Sequence, residues 1–225
     1  VVLFLSFILV IVFWGAFEQA GGLMNIYASE KTDRLFMGWL VPASWFQSLN
    51  AMFIIFLGTA VAAYWAKRKL KNQLSSSLFK MIIGLIIMGT GFFFMSAAAT
   101  QYESQGSSAM YWLVLAYLFH TIGELCISPV ALSFITKLAP LKYASLTMGV
   151  YFAMTGFGNK LAGWLGEASE NLGEFVIFTG IAILCVIFGF VVMLFRKRLE
   201  KLTHGAEDNE HIIHDETEGF ELADN

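Results

Sequence analysis

Charge is scarce in this sequence. Only 14% of its 225 residues are Asp, Glu, Lys or Arg, against about a quarter in ordinary soluble domains. That scarcity excludes a solvated globular surface. Cysteine is almost absent: Cys126 and Cys185 both stand inside apolar runs, where a thiol behaves as a small apolar group, so no disulfide is expected. No Asp falls inside any apolar run, and no Ser/His pair is arranged there, so an intramembrane hydrolase is excluded. Metal-ligand clusters, a phosphate-binding glycine loop and a nucleophile with its base are all missing; GFG and GELC are too short to count. No enzyme is expected, no metal or organic cofactor, and no nucleic-acid partner. What remains is protonation and binding.

Apolar length is what the sequence has most of. Hydrophobic residues make up 57% of the chain, with 22 Phe and 6 Trp. Runs near 20 residues, each enough to cross roughly 30 Å of hydrocarbon as a helix, cover about 1–28, 37–66, 78–100, 110–138, 143–167 and 174–195. Backbone groups in lipid need partners within their own segment, and barrel strands would be shorter and alternating. An all-α membrane protein follows, a bundle of six transmembrane helices over 1–200. A weak three-plus-three symmetry, common in transporters, stays open.

Of the 14 Lys and Arg, eleven fall between helices 2 and 3 (Lys67, Arg68, Lys69, Lys71, Lys80), between helices 4 and 5 (Lys137, Lys142) and after helix 6 (Arg196, Lys197, Arg198, Lys201). Cytoplasmic loops carry such an excess. Helix 1 is therefore expected to start in the cytoplasm and the chain to end there, with Glu30, Asp33, Glu103, Glu167, Glu170 and Glu174 outside. Residues 201–225 turn polar and acidic, as a disordered cytoplasmic tail does. Their three histidines, His204, His211 and His214, lack a second ligand cluster. The opening VVLFL has neither Met nor a basic n-region, so the chain reads as a fragment without a signal peptide. A multi-pass protein of the bacterial inner membrane is expected.

Few strongly polar residues lie deep in the spans, where a charge costs at least ~2.5 to 3.5 kcal/mol on insertion scales. Glu18 follows Trp14 by four residues, so an aromatic and a carboxylate share one face. It is either a structural carboxylate satisfied by a neighbouring helix or a group poised between apolar surroundings and a cation, able to load and release a proton. Glu124 lies in HTIGELCISPVALS, with Ser128 one turn away and Pro129 set to kink the helix. A polar cavity that bends is one reading; a Pro kink satisfied by serine is the other. Gln47 and Asn50 share a face at i and i+3, where interhelical hydrogen bonding and a binding role are both open. His120, one turn before Glu124, suits a hydrogen bond near the outer interface or a proton relay. Lys160 is expected to snorkel outward, and Ala162 with Gly166 to permit close helix contact.

FWGAFEQAGG, WFQSLNAMFII, HTIGELCISPVALSFITKLAP and GVYFAMTGFGNKLAG together resemble, in order and spacing, motifs in the C-terminal half of the proton-dependent oligopeptide transporters, a branch of the major facilitator superfamily. The resemblance spans about residues 1–196. It implies that the six helices correspond to the family's seventh to twelfth. Glu18 resembles the carboxylate implicated in proton coupling and Trp14 a pocket tryptophan. Asn50 resembles the asparagine that contacts the peptide, and Glu124, with Ser128 beside it, the glutamate that receives the peptide's amino terminus. Tyr151 stands where many bacterial members have Trp, with Thr155 one turn later. The implied function is proton-coupled symport of di- and tripeptides, protons being the coupling ion. The implied partners are the peptide, the lipid bilayer and an N-terminal six-helix bundle. The family's first-helix ExxER-type motif and its cations for the peptide carboxylate are not in these 225 residues. Nitrate or a drug-like amphiphile on the same scaffold, or a non-transporting membrane interaction protein, are the alternatives.

Overall fold

The computed structural model of the protein describes residues 2–203. The tail over 201–225 lies, from residue 204 onward, outside the described residues, and so do its three histidines.

Seven helices dominate: α1 Val2–Phe17, α2 Leu23–Glu30, α3 Ser44–Leu70, α4 Ser77–Gln105, α5 Met110–Lys137, α6 Ala144–Leu172 and α7 Glu174–Lys201. The protein is an all-α multi-pass membrane protein, its helices running up and down between short loops. The first span departs from the single helix expected over 1–28. It breaks after Phe17 into a 3-10 turn, Glu18–Ala20, and restarts at Leu23. Gly21 and Gly22 fill the gap, their N–H groups both donating to the Glu18 carbonyl at 3.2 and 3.1 Å, and Gly22 bends away at φ −98°, ψ −105°.

Among the described residues, five segments are long and apolar enough to cross a membrane: Val2–Glu30, Ser44–Leu70, Ser77–Gln105, Met110–Lys137 and Glu174–Lys201. The sixth expected span, α6, is 29 residues long but is not among these five, since Asn159, Lys160, Glu167 and Glu170 all fall within it. Lys160 is exposed, as its long stem allows.

α4 is the most enclosed helix and packs against α5 on one side and α7 on the other. Glycine permits that approach. A Cβ on Gly84 would lie 2.7 Å from the Gly123 carbonyl oxygen, and one on Gly123 would lie 2.6 Å from that of Gly84, so the α4 and α5 backbones nearly touch. α1 leans on α6 in the same way at Gly158, where an added Cβ would meet the Trp14 Cβ at 2.7 Å. That contact falls one turn before the Ala162 and Gly166 pair singled out in the sequence. Ala162 is buried, whereas Gly166 faces open space.

α3 stands at the edge of the bundle. It rests mainly on α5, and hardly any of its most apolar stretch is fully buried.

The loops pair end by end. At one end Thr32–Asp33 (β1) runs parallel to Ser108–Ala109 (β4), a tight hairpin joins Leu35–Phe36 (β2) to Trp39–Leu40 (β3), and Lys31 pairs with Glu174 at 2.5 Å. At the other end Ser76 caps α4, accepting from the Phe79 N–H at 3.3 Å, and donates its hydroxyl to the Glu200 carboxylate. Glu200 also pairs with Arg196 one turn back at 3.3 Å. The basic residues Lys67, Arg68, Lys69, Lys71, Lys80 and Lys137 gather at this second end.

Candidate functional site

Asn50 and Glu124 meet across the α3–α5 seam. The Asn50 amide donates to Glu124 Oε2 at 2.8 Å and to the Thr121 hydroxyl oxygen at 3.2 Å. Helical spacing brings this about: Thr121 and Glu124 are three residues apart and face the same neighbour. The Thr121 O–H is itself committed to the Tyr117 carbonyl at 2.7 Å, which leaves its lone pairs toward Asn50 and fixes the amide's orientation. Glu124 is half-buried, and among the described residues its Oε1 takes no hydrogen bond. One carboxylate oxygen is held and the other is open.

A second polar group surrounds the break in the first span. Helix termini leave backbone groups unsatisfied, and here side chains from other helices supply the partners. Tyr117 donates its hydroxyl to the Ala20 carbonyl at 2.7 Å, and Gln47 its amide to the Gly21 carbonyl at 3.4 Å. Gln19, fully buried, donates to Gly15 and across to the Ala162 carbonyl of α6 at 3.0 Å. The Gln47 and Asn50 pair thus divides: one amide serves the break, the other the carboxylate. Glu18 opens the 3-10 turn with its carboxylate half-buried and, among the described residues, in no hydrogen bond or ion pair.

These two groups share a residue. Tyr117 reaches the break with its hydroxyl and the Thr121 side chain with its carbonyl, so a continuous run of hydrogen bonds joins Glu124, Asn50, Thr121, Tyr117 and Ala20.

The other residues singled out in the sequence take no part in this run. Trp14 sits on the α1–α6 seam, its ring edge-on to Phe13 at 5.4 Å and to Phe17 at 5.6 Å. Tyr151 is buried on α6, and the Thr155 hydroxyl donates back to the Tyr151 carbonyl at 3.2 Å. Neither is hydrogen-bonded to the Asn50–Glu124 group. Ser128 is not bonded to Glu124 either: among the described residues its buried hydroxyl has no partner, so it does not satisfy the turn before Pro129. α5 runs through that proline to Lys137. The expected hydrogen bond of His120 is also absent. The ring is fully buried between α4 and α5, 4.4 Å from the Phe92 ring and close to Gly91, with both nitrogens unpartnered among the described residues.

Three contributors went unnoticed in the sequence. Thr121 was detectable as a hydroxyl three residues before an intramembrane acid. Tyr117 and Gln19 carried no such signal: Tyr117 acts on the Ala20 carbonyl, which the break exposes, and Gln19 on the Ala162 carbonyl of another helix.

Comparison with known proteins gives a consistent picture. The sequence model of the POT family matches residues 1–174. The peptide transporter YePEPT of Yersinia enterocolitica is 40% identical over 156 residues, which cover 68% of this chain and 30% of that protein. A di-/tripeptide transporter of Lactococcus lactis subsp. cremoris is 27% identical over 201 residues, covering 87% of this chain and 40% of its own length. Among solved structures, a POT family transporter in complex with a thioalcohol conjugated peptide superposes with a TM-score of 0.78 at 26% identity, over 88% of this chain and 41% of that one. The chain spans two fifths or less of these two relatives.

Proposed function

The chain belongs to the POT family, and from that premise we propose that it forms the C-terminal six-helix half of a transporter that carries di- and tripeptides in symport with protons. Transport proceeds by alternating access of two bundles around a site near the middle of the membrane. The observation that carries this reading is the half-engaged carboxylate of Glu124, held by Asn50 at 2.8 Å inside an apolar bundle.

Glu124 attracts the peptide ammonium through its open oxygen, in a charge-assisted hydrogen bond. Asn50, anchored by Glu124 and Thr121, offers its amide oxygen to the peptide backbone. Trp14 and Tyr151 give aromatic walls, and the hydroxyls of Ser128 and Thr155 give polar contacts along them. Glu18 carries the coupling proton. In its charged form it pairs with a cation from the N-terminal half; once protonated it releases that cation and lets the bundles separate. Its place at the break suits this role, because the chain bends most readily where helical bonds are interrupted. The hydrogen bonds through Tyr117 and Gln47 then join a bend beside Glu18 to the helix turns that hold Glu124.

The basic end of the bundle faces the cytoplasm, which puts the C-terminus there, in the inner membrane of a bacterium. Peptide substrates are named for YePEPT and for the Lactococcus protein, and a peptide is bound in the solved relative. Nitrate on the same scaffold is disfavoured, since Glu124 would repel an anion. Competition decides: uptake of labelled dialanine into proteoliposomes under an inward proton gradient should fall with unlabelled dipeptides and be untouched by nitrate. Displacement by nitrate alone would overturn the substrate assignment.

A further inference from the structure

α3 leans on α5 and leaves its seam with α4 largely open at the basic end of the bundle. A groove of about 520 Å³ fills that seam. Its walls are apolar: Ala60, Val61 and Trp65 of α3, Ile83 of α4, Ile122 and Cys126 of α5. One end is cationic. The Arg68 guanidinium lies 5.7 Å from the Tyr64 ring, 5.9 Å from Trp65 and 5.8 Å from Phe79. Two of its donors are engaged, Nε with the Leu74 carbonyl at 3.0 Å and Nη1 with the Tyr64 hydroxyl at 3.2 Å. Lys80 Nζ lies 5.8 Å from the Trp65 ring on the same side. Trp65 is 8% exposed, and its buried indole N–H has no nitrogen or oxygen acceptor among the described residues and interacts with the Cys126 side chain.

These features specify an occupant. Ala60 and Arg68 are eight residues apart, so the groove runs ~12 Å along α3 at the helical rise. A free inorganic anion would use only its end and leave the apolar walls bare. A neutral hydrocarbon chain would leave the guanidinium charge, which among the described residues is met only by neutral oxygens, without an anion. An acyl chain carrying an anionic phosphodiester satisfies both. Arginine's planar fork matches phosphate oxygens, and Tyr, Trp and basic residues belong at the depth where headgroups begin.

We propose that the groove between α3, α4 and α5 is a binding site for one anionic phospholipid of the leaflet at the basic end of the bundle. The acyl chain lies along Ala60, Val61 and Ile83, and the phosphate meets Arg68, with the charge of Lys80 beside it. The lipid closes the gap between α3 and α4 and steadies the helix that carries Asn50.

Native mass spectrometry of the purified full-length protein, offered equal phosphatidylglycerol and phosphatidylcholine, tests this. Wild type should retain one phosphatidylglycerol in preference. Val61→Trp, which fills the slot, should lose it. Arg68→Gln should weaken the preference about fivefold, the worth of one basic residue at an anionic lipid surface. Circular dichroism and a monodisperse profile show that the variants fold. Equal retention of both lipids, or retention unchanged in Val61→Trp, overturns the proposal. Displacement of the adduct by millimolar inorganic phosphate would make the site one for simple anions. No retained lipid at all would leave the groove to a helix of the rest of the protein.

Discussion

Asn50 on α3 and Glu124 on α5 are joined by a 2.8 Å hydrogen bond, and Thr121 takes the second proton of the same amide. The amide therefore has no donor left to give, and the carboxylate has one oxygen free. The pair holds two helices together and still presents an acceptor.

Removing the amide should loosen that acceptor. Asn50→Ala in the full-length protein strips Glu124 of its donor; hydrogen bonds to charged groups are worth ~1.5 to 3 kcal/mol. The apparent KM for a dipeptide should rise about tenfold or more, with protein level unchanged. An unchanged KM would mean that Asn50 does not orient the carboxylate.

Glu18 has no partner among the described residues, so its neutralisation should leave the fold alone. Glu18→Gln should melt like wild type and still exchange peptide in counterflow without a gradient. Accumulation driven by a proton gradient should fall to background. Retained uphill uptake would remove Glu18 from coupling.

Tyr117→Phe keeps the buried ring and deletes the donor to the Ala20 carbonyl. Interhelical hydrogen bonds of this kind average ~0.6 kcal/mol, about a threefold effect. Proton-driven uptake should fall roughly threefold while counterflow holds. An equal drop in both would mean that the contact serves stability and not the bend beside Glu18.

Glycine at the α4–α5 crossing has a direct test. Gly123→Ala puts a methyl 2.6 Å from the Gly84 carbonyl oxygen and 2.8 Å from the Met88 Cβ, and overpacking of this kind costs ~1 to 3 kcal/mol. Its melting temperature in detergent should drop by several degrees. Gly166→Ala meets nothing within 4 Å and replaces a poor helix former, worth up to ~1 kcal/mol, so it should melt at or above wild type. A reversed order would contradict the packing.

The sequence made the class of fold and the list of deep polar residues legible for a physical reason. Lipid tolerates neither uncovered backbone nor unpaired charge, so apolar length marks the helices and Glu124 stands out among them, while its pairing with Asn50 became visible only in the structure. The break at Glu18–Gly22 was hidden because Gly21 and Gly22 are compatible with a continuous helix; Tyr117 and Gln47, reaching in from other helices, and Gln19 within the break, reaching out to α6, stabilise the interruption. Small-residue spacing pointed to Ala162 and Gly166, whereas the closest contact is at Gly158. Such spacing says where helices can approach, not which face meets a neighbour. His120 looked like a hydrogen-bonding residue and is enclosed against Phe92 instead, since burial is set by the α4–α5 crossing and not by the residue's polarity.

The central claim is that Glu124 receives the peptide ammonium. Its most direct test compares wild type with Glu124→Gln in proteoliposomes of the full-length protein, measuring gradient-driven uptake of labelled dialanine. Gln keeps the shape and the contact with Asn50 but not the charge. Uptake abolished in the variant, from protein that folds and inserts like wild type, is the result predicted here. Uptake that survives unchanged would contradict it and place the peptide's amino terminus elsewhere.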